Sequence, residues 1–275
     1  SVSLLVRLAE KETTDQWYGR IADFLAHEPL DIHCLVPGGS PDCASQTRNR
    51  FRHPVHCHAV SPRDTPAALY NSIVRGCSGR YLLFVAPGFV PDDSDWLRFL
   101  LEMAQDKAAG AVTGFMASQE NGEGRPEIVE NMSWRAYRRF FLEASRDLNN
   151  IYCEQNVLAV PIDLCLVRKE LFDQVGGFAE DLFPQVFFDL DFSLKLHRAG
   201  YANVYTPCCR GRLAAESGTT VSSEAAAKEL AAFQDTWRTV LKNGDPYYNP
   251  GQILAERKIS REQWLEWYAG NPGAA

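Results

Sequence analysis

The 275-residue chain contains no apolar run near the ~18 residues needed to cross a bilayer. Its first residues also lack the basic stretch and apolar core of a secretory signal. It has no repeat, no low-complexity tract and no C-x-x-C pair, and a formal charge of -7 leaves no basic footprint for nucleic acid. The eight cysteines, Cys34, Cys43, Cys57, Cys77, Cys153, Cys165, Cys208 and Cys209, therefore read as thiols of a reducing compartment rather than a disulfide framework. Cys34 and Cys165 lie inside apolar, strand-like runs. The string HPVHCH, with His53, His56, Cys57 and His58, lacks the paired, distant ligands of a zinc site. The expectation is a cytoplasmic protein, in one version at the inner face of the membrane. Because the chain opens directly on the strand-like VSLLVRL, a segment of a longer protein is the other expectation.

A content of 45% hydrophobic and 23% charged residues suits one large α/β domain or two small ones. Strand and helix signals alternate in the first half, which predicts a mostly parallel sheet with helices on its faces. Strands are expected over Val2 to Leu8, Ile32 to Val36 and Tyr81 to Val85, and helices over Asp15 to Ala26, Thr65 to Arg75 and Ser94 to Lys107. The segment between the second strand and Thr65 reads as irregular. Residues 117–130 are polar and glycine-containing and mark a surface loop, and RAYRR at 135–139 is either a solvated helix face or a contact for an anionic ligand or lipid. Helical patterning returns from Ser223, with Gly244 as its stop.

The stretch from Leu166 to Tyr201 carries the most chemistry. Leu190, Phe192, Leu194 and Leu196 alternate as a strand would, yet Asp189 and Asp191 at the start, His197 and Arg198 at the end and Gly200 beyond favour a helix. A carboxylate so placed can take a proton from a hydroxyl or can cap the helix. In VGGF, Val175 to Phe178, Gly176 and Gly177 permit a turn or a close backbone approach. Arg7 ends the first strand, where an open α/β sheet turns toward its ligand crevice, and it reads equally as a surface ion pair.

VGGF, DLDFSLKLHRAGY at Asp189 to Tyr201 and DPYYNP at Asp245 to Pro250 together resemble family-2-like glycosyltransferases of the GT-A fold, close to the bacterial surface-polysaccharide and rhamnosyl-type transferases. The resemblance runs from Val2 to about Pro250 and is strongest from Cys165 onward. It implies a GT-A-like, Rossmann-type α/β domain over residues 1–220, with a nucleotide half at about 1–116 and an acceptor half at about 131–220. A C-terminal helical extension at 221–275 packs on it. It also implies transfer of a sugar from a nucleotide-sugar donor to a saccharide or lipid-linked acceptor in cell-surface polysaccharide biosynthesis. Other domains of a longer protein, or a peripheral membrane contact, are further expected partners. Asp189 matches the family's base, with Asp191 the next candidate, although Phe188 replaces the first acid of the family's Glu-Asp pair. Asn71 and Gly88 join Arg7 as candidate nucleotide-sugar contacts, and Gly176 and Gly177 border the acceptor side. DPYYNP, preceded by Trp237, is expected to pack, with Tyr247 and Tyr248 as alternative sugar-stacking faces.

Leaving-group stabilisation is where the sequence departs from the family. The D-x-D expected after YLLFV, which would hold Mn or Mg against the diphosphate, is replaced by Ala86, Pro87 and Gly88. Ala214 stands where relatives have a histidine ligand, in AAESGT. The loop with base-recognition acids has become VPGGSPD at Val36 to Asp42, and the motif after the first strand has become Arg7, Leu8, Ala9 and Glu10. Three readings stay open: displaced ligands at Asp92, Asp93 and Asp95; metal-free transfer assisted by Arg7 and helix N-termini; or a catalytically inactive module that binds a glycan or docks a partner transferase domain. A nucleotidyltransferase is a weaker reading, since LVRLAEKE has no glycine-rich phosphate loop.

Overall fold

The computed structural model describes residues 1–8, 14–25, 30–37, 52–61, 63–118, 153–213, 222–243 and 246–247. Strands β1 (Val2–Arg7), β2 (Leu30–Pro37), β3 (Val55–Val60), β4 (Tyr81–Val85), β5 (Phe89–Pro91), β6 (Ala109–Ser118), β7 (Gln155–Val157), β8 (Leu164–Arg168) and β9 (Ala202–Leu213) make one sheet. Their order is β3-β2-β1-β4-β8-β6-β9-β5, with β7 paired to β9. β1, β2, β3, β4, β6 and β9 share a direction, while β5, β7 and β8 oppose it. The helices are α1 (Thr14–Ile21), α2 (Pro66–Val74), α3 (Trp96–Ala104), α4 (Lys169–Gln174), α5 (Phe188–Arg198), α6 (Ser223–Thr236) and α7 (Arg238–Asn243).

The central strands read as continuous apolar runs because both faces of the sheet are covered. Val2, Leu4 and Val6, with Tyr81, Leu83 and Val85, pack against Trp96, Leu97 and Leu100 of α3 and Ile21 of α1. The alternate residues Leu5, Leu82 and Phe84 meet α2, α4 and α5 on the other face. At its centre Phe178 touches five rings, with centroids 5.0 Å from Phe188, 5.1 Å from Phe172, 5.2 Å from Phe192, 5.5 Å from Phe84 and 6.1 Å from Tyr70. Edge-on pairs of this kind each add about 0.5–1.5 kcal/mol beyond burial.

Several elements differ from the sequence expectation, each for a physical reason. Val55–Val60 is a strand, paired parallel to β2 through His33↔His56 and Leu35↔His58. Its polar side chains obscure it because it lies at the sheet's end in the strand order, half exposed. The strand-like alternation in α5 disappears because the helix is buried nearly all round: Phe188 through Leu194 and Leu196 are all inside. The C-terminal run is two helices, broken at Trp237, whose side chain is buried with Phe233 and Leu241. Gly244, the predicted stop, and residues 119–152 lie outside the described residues.

Two polar clusters hold the sheet. Arg168, 5% exposed, aims its guanidinium at the carbonyls left open beyond α3, bonding Ala104 O at 3.3 Å, Asp106 O at 2.6 Å, Lys107 O at 2.9 Å and Ala109 O at 2.9 Å. On the opposite flank, His33 Nε2 lies 3.2 Å from Asp31 Oδ2 and His33 Nδ1 3.0 Å from His58 Nε2. Burial depresses His33, but the bond to Asp31 and the neighbouring Cys77 sulfur outweigh it and raise it to about 9. Burial, then the charges of His33 and His56, push His58 down to about 4. Charged His33 donates from both ring nitrogens, so His58 accepts at Nε2 and carries its own proton on Nδ1.

Two outcomes are expected. Arg168→Ala removes a donor from four carbonyls, of which Asp106 O keeps the Ala109 N–H, and should lower unfolding stability by about 3 kcal/mol. Arg168→Lys should recover little because one ammonium cannot reach all four; urea titration measures both. His33 binds its proton more tightly folded than unfolded, so its contribution is full below about pH 6.5 and lost as pH rises toward 9. His58 binds its proton less tightly when folded, so stability also falls from about pH 6.5 toward 4. Thermal melts across pH should therefore peak near 6.5, and His33→Gln should flatten the alkaline limb.

Candidate functional site

Asp189 and Asp191 both enter the interior from the first turn of α5, 2% and 3% exposed. Two positions on a helix point to opposite sides, and the two carboxylates separate accordingly. Asp189 Oδ2 accepts the Ile162 N–H at 3.0 Å, in the turn that leads into β8, and its Oδ1 accepts the Leu190 N–H at 3.0 Å. Asp191 faces the C-terminal helices instead. Its Oδ1 accepts the Trp237 indole N–H at 3.0 Å, and Lys195 Nζ lies 3.5 Å from its Oδ2. Burial raises the Asp191 carboxyl above its ordinary value and lowers Lys195, while each partner's charge opposes the other's shift. Asp191 thus ties α5 to Trp237 at the junction of α6 and α7, and the structure does not bring it together with Asp189.

Asp189 meets the ends of the parallel strands. Arg7, on the same face of β1 as Leu5, ends that strand half-buried. Ala86 follows β4, and its N–H bonds the Asp163 carbonyl at 2.8 Å. Buried Tyr70 of α2 lies among these groups. Burial raises its phenol, the Arg7 guanidinium opposes, and the Asp163 and Asp189 carboxylates add to the rise. Cys165 is raised by burial and by the Asp189 charge. Arg7, Tyr70, Asp163 and Asp189 therefore share one electrostatic neighbourhood at the carboxyl ends of β1 and β4, where open α/β sheets bind ligands. Two surface cavities, about 540 Å³ and about 280 Å³, lie elsewhere. One is at the opposite ends of β1 and β4, beside Arg80 and Arg98, and the other is beside Lys195 and Arg198.

The remaining candidates are spread around this cluster. Gly176 and Gly177 have φ of 80° and 62°, and a Cβ on Gly177 would stand 2.8 Å from Asn71 Oδ1 and 2.9 Å from Phe172 Cε1. Asn71 holds this turn: its Nδ2 donates to Phe178 O at 2.8 Å and to Glu180 Oε2 at 2.7 Å, and its Oδ1 accepts the Phe178 N–H at 3.0 Å. Lys195 Nζ donates to Gly177 O at 2.7 Å. With its carboxamide so engaged, Asn71 shapes the turn from α2. Gly88 lies in the turn closed by Phe89 N–H on Ala86 O at 3.1 Å, and Arg20 Nη2 donates to Pro87 O at 2.9 Å. Tyr247 packs edge-on against His197, centroids 5.9 Å apart. Ala214 to Thr219, the VPGGSPD loop beyond Pro37 and Tyr248 lie outside the described residues.

A divalent ion does not fit the residues that can be described. Ala86, Pro87 and Gly88 offer no side-chain ligand, and no cluster of three His, Cys, Asp or Glu suited to a metal occurs among the described residues. The alternative acids are engaged at the surface: Asp92 with Arg212 at 3.4 Å, Asp93 with the Asp95 N–H at 2.8 Å, and Asp95 with Arg98 at 3.1 Å. Asp163 and Tyr70 escaped the sequence reading, because only the antiparallel insertion of β8 beside β4 brings Asp163 opposite Ala86.

No family model matches the chain. The fold is similar to a mannosyltransferase from Pyrobaculum calidifontis in complex with GDP-Man and Mn²⁺, with TM-score 0.60, 14% identity and coverage of 98% of this chain and 73% of that one. It is also similar to GalNAc-T7 with UDP, GalNAc and Mn²⁺, with TM-score 0.61, 10% identity and coverage of 97% and 56%. The chain has the GT-A fold. In sequence it is 26% identical over 200 residues to the O-antigen biosynthesis protein RfbC of Myxococcus xanthus, covering 68% of this chain and 15% of RfbC. It spans less than a quarter of the length of the curated relatives it matches. The resemblance of VGGF and DLDFSLKLHRAGY to GT-A transferases and the observed architecture thus agree.

The glycine pair of this GT-A domain separates backbone strain from crowding. Gly176→Ala meets no atom within 4 Å and should lower stability by about 1–2 kcal/mol, the cost of a left-handed residue. Gly177→Ala adds the collision with Asn71 and Phe172 and should lower it by roughly 3 kcal/mol or more. Chemical denaturation of the two variants side by side checks the order.

Proposed function

We propose that this GT-A domain transfers a sugar from a nucleotide-sugar donor to a saccharide or lipid-linked acceptor in surface-polysaccharide synthesis, with Asp189 as base. The carrying observation is the placement of the Asp189 carboxylate, held by the Ile162 and Leu190 N–H groups, in the same neighbourhood as Arg7 at the carboxyl ends of β1 and β4. In the reaction Asp189 takes the proton of the acceptor hydroxyl while that oxygen bonds to the anomeric carbon. The bond from that carbon to the diphosphate oxygen breaks, and the nucleoside diphosphate leaves with the electron pair. Arg7 supplies positive charge for the departing group from a fixed position, so little reorganisation is needed as charge develops. No step runs through a metal ion. GDP-Man and UDP are bound by the two solved structures named above, which supports a nucleotide diphosphate donor of that general kind here.

The domain works beside other domains of a longer protein, a reading supported by the small share of RfbC that it spans. No described helix is long and apolar enough to cross a membrane. A second reading, a non-catalytic module that binds a glycan or docks a transferase domain, is favoured by one observation, the replacement of the expected acids by Ala86, Pro87 and Gly88.

Turnover of a panel of nucleotide sugars, with and without Mn²⁺ or Mg²⁺, separates the two readings. Asp189→Asn should lower kcat by about 10²- to 10⁴-fold with donor binding retained. Turnover undiminished in Asp189→Asn removes the role assigned to that residue, and donor binding by calorimetry without turnover favours the module.

A further inference from the structure

We propose that Glu229, on α6, is a positioning residue that seats the helix bearing Asp189. The inference rests on the reading of Asp189 as the base and adds to it the group that places that base.

The residue before helix α5, Phe187 at its N-cap, makes no side-chain capping bond. The backbone N–H groups leading into a helix need acceptors, and the positive end of the helix dipole favours a negative one. Glu229 supplies both from a different helix. Its Oε1 accepts the Gln185 N–H at 2.9 Å, and its Oε2 accepts the Val186 N–H at 2.9 Å and the Phe187 N–H at 3.3 Å. The side chain is 4% exposed. Burial raises its carboxyl above the ordinary range while the three N–H groups pull it back. Phe233, one turn along α6, stacks on Phe187 with centroids 5.1 Å apart, and Trp237 bonds Asp191. The C-terminal helices therefore grip α5 at residues 185–187 and again at 191, and Asp189 lies between the two grips.

This arrangement fits what is missing from α5. Phe188 stands where the resembling sequences carry the first acid of a pair, and Phe188 is committed to the aromatic cluster with Phe178 and Tyr70. The carboxylate at the mouth of this helix comes from Glu229 instead. Glu229 sits on the buried stripe Ala226, Glu229, Phe233, Trp237, spaced by helical turns, where an acid has no reason to be unless donors face it.

The test uses native-state hydrogen exchange on the full chain with Glu229→Gln, whose carboxamide keeps the shape but loses the charge. The reporters are the amides of Ile162 and Leu190, which Asp189 holds, with the amides of β1 as an internal measure of global stability. Exchange at Ile162 should quicken by about tenfold or more relative to β1. If protection at Ile162 is unchanged, or falls only in step with β1, the proposal is overturned, since a purely structural acid would do just that. Should Glu229→Gln not fold, Glu229→Asp keeps the charge one methylene short and reads the same amides with a smaller change. In turnover assays Glu229→Gln should lower kcat up to about a hundredfold through misplacement of the base, with KM for the nucleotide sugar unchanged. An active wild type beside an equally active variant also overturns the proposal. A wild type without turnover defeats the transferase reading alone, because the exchange experiment still decides whether Glu229 positions Asp189.

Discussion

A helix buried on nearly all sides that carries two carboxylates inward must find hydrogen-bond donors for both, and the rest of this molecule is arranged around that requirement. Asp189 is answered by the backbone entering β8. Asp191 is answered by Trp237 and Lys195. Lys195 reaches on to Gly177 O, and Asn71 takes the next residue, Phe178, by both its N–H and its carbonyl. Sheet, turn and C-terminal helices are thus joined through polar atoms of one eleven-residue helix. Unpaired charge in such a place costs several kcal/mol, so the helix is held to the positions where these donors reach its acids.

The sheet decides what the helix faces. The reversal at β8 brings an acidic turn beside the residues that follow β4, so Asp163 confronts Ala86 where the sequence alone shows only missing acids. Around Tyr70 the charge of Arg7 opposes those of Asp163 and Asp189.

Much of this was legible from the chain. Tyr81–Val85 and α5 were readable, the first from an unbroken apolar run and the second from its end signals. The glycines of VGGF were readable as a special turn, and both have positive φ. What the chain hid depends on contacts far apart in sequence. Nothing local shows that Asn71 holds Phe178, 107 residues away, or that Asp191 turns toward Trp237 and away from Asp189. β3 was hidden by His56 and His58, whose polarity is tolerated because both are at least partly exposed, His58 bonds His33 of β2, which in turn bonds Asp31, and His56 stacks on His33. Glu229 was visible only as an acid on an apolar stripe, and its partners are backbone groups that no sequence pattern marks.

The pair of hydrogen bonds between the Asn71 side chain and the Phe178 backbone also has a consequence for the order of folding. It copies the donor and acceptor pair that a neighbouring strand would present, and it closes a loop of more than a hundred residues. Long closures of this kind form late, since their entropy must be met before their contacts reward it. Asp189 gains its final setting only after α2, the glycine turn and Trp237 have all arrived. During synthesis the strands β1 to β4, four of the nine in the sheet, emerge long before that, so this parallel half can pair while the acid is still unplaced.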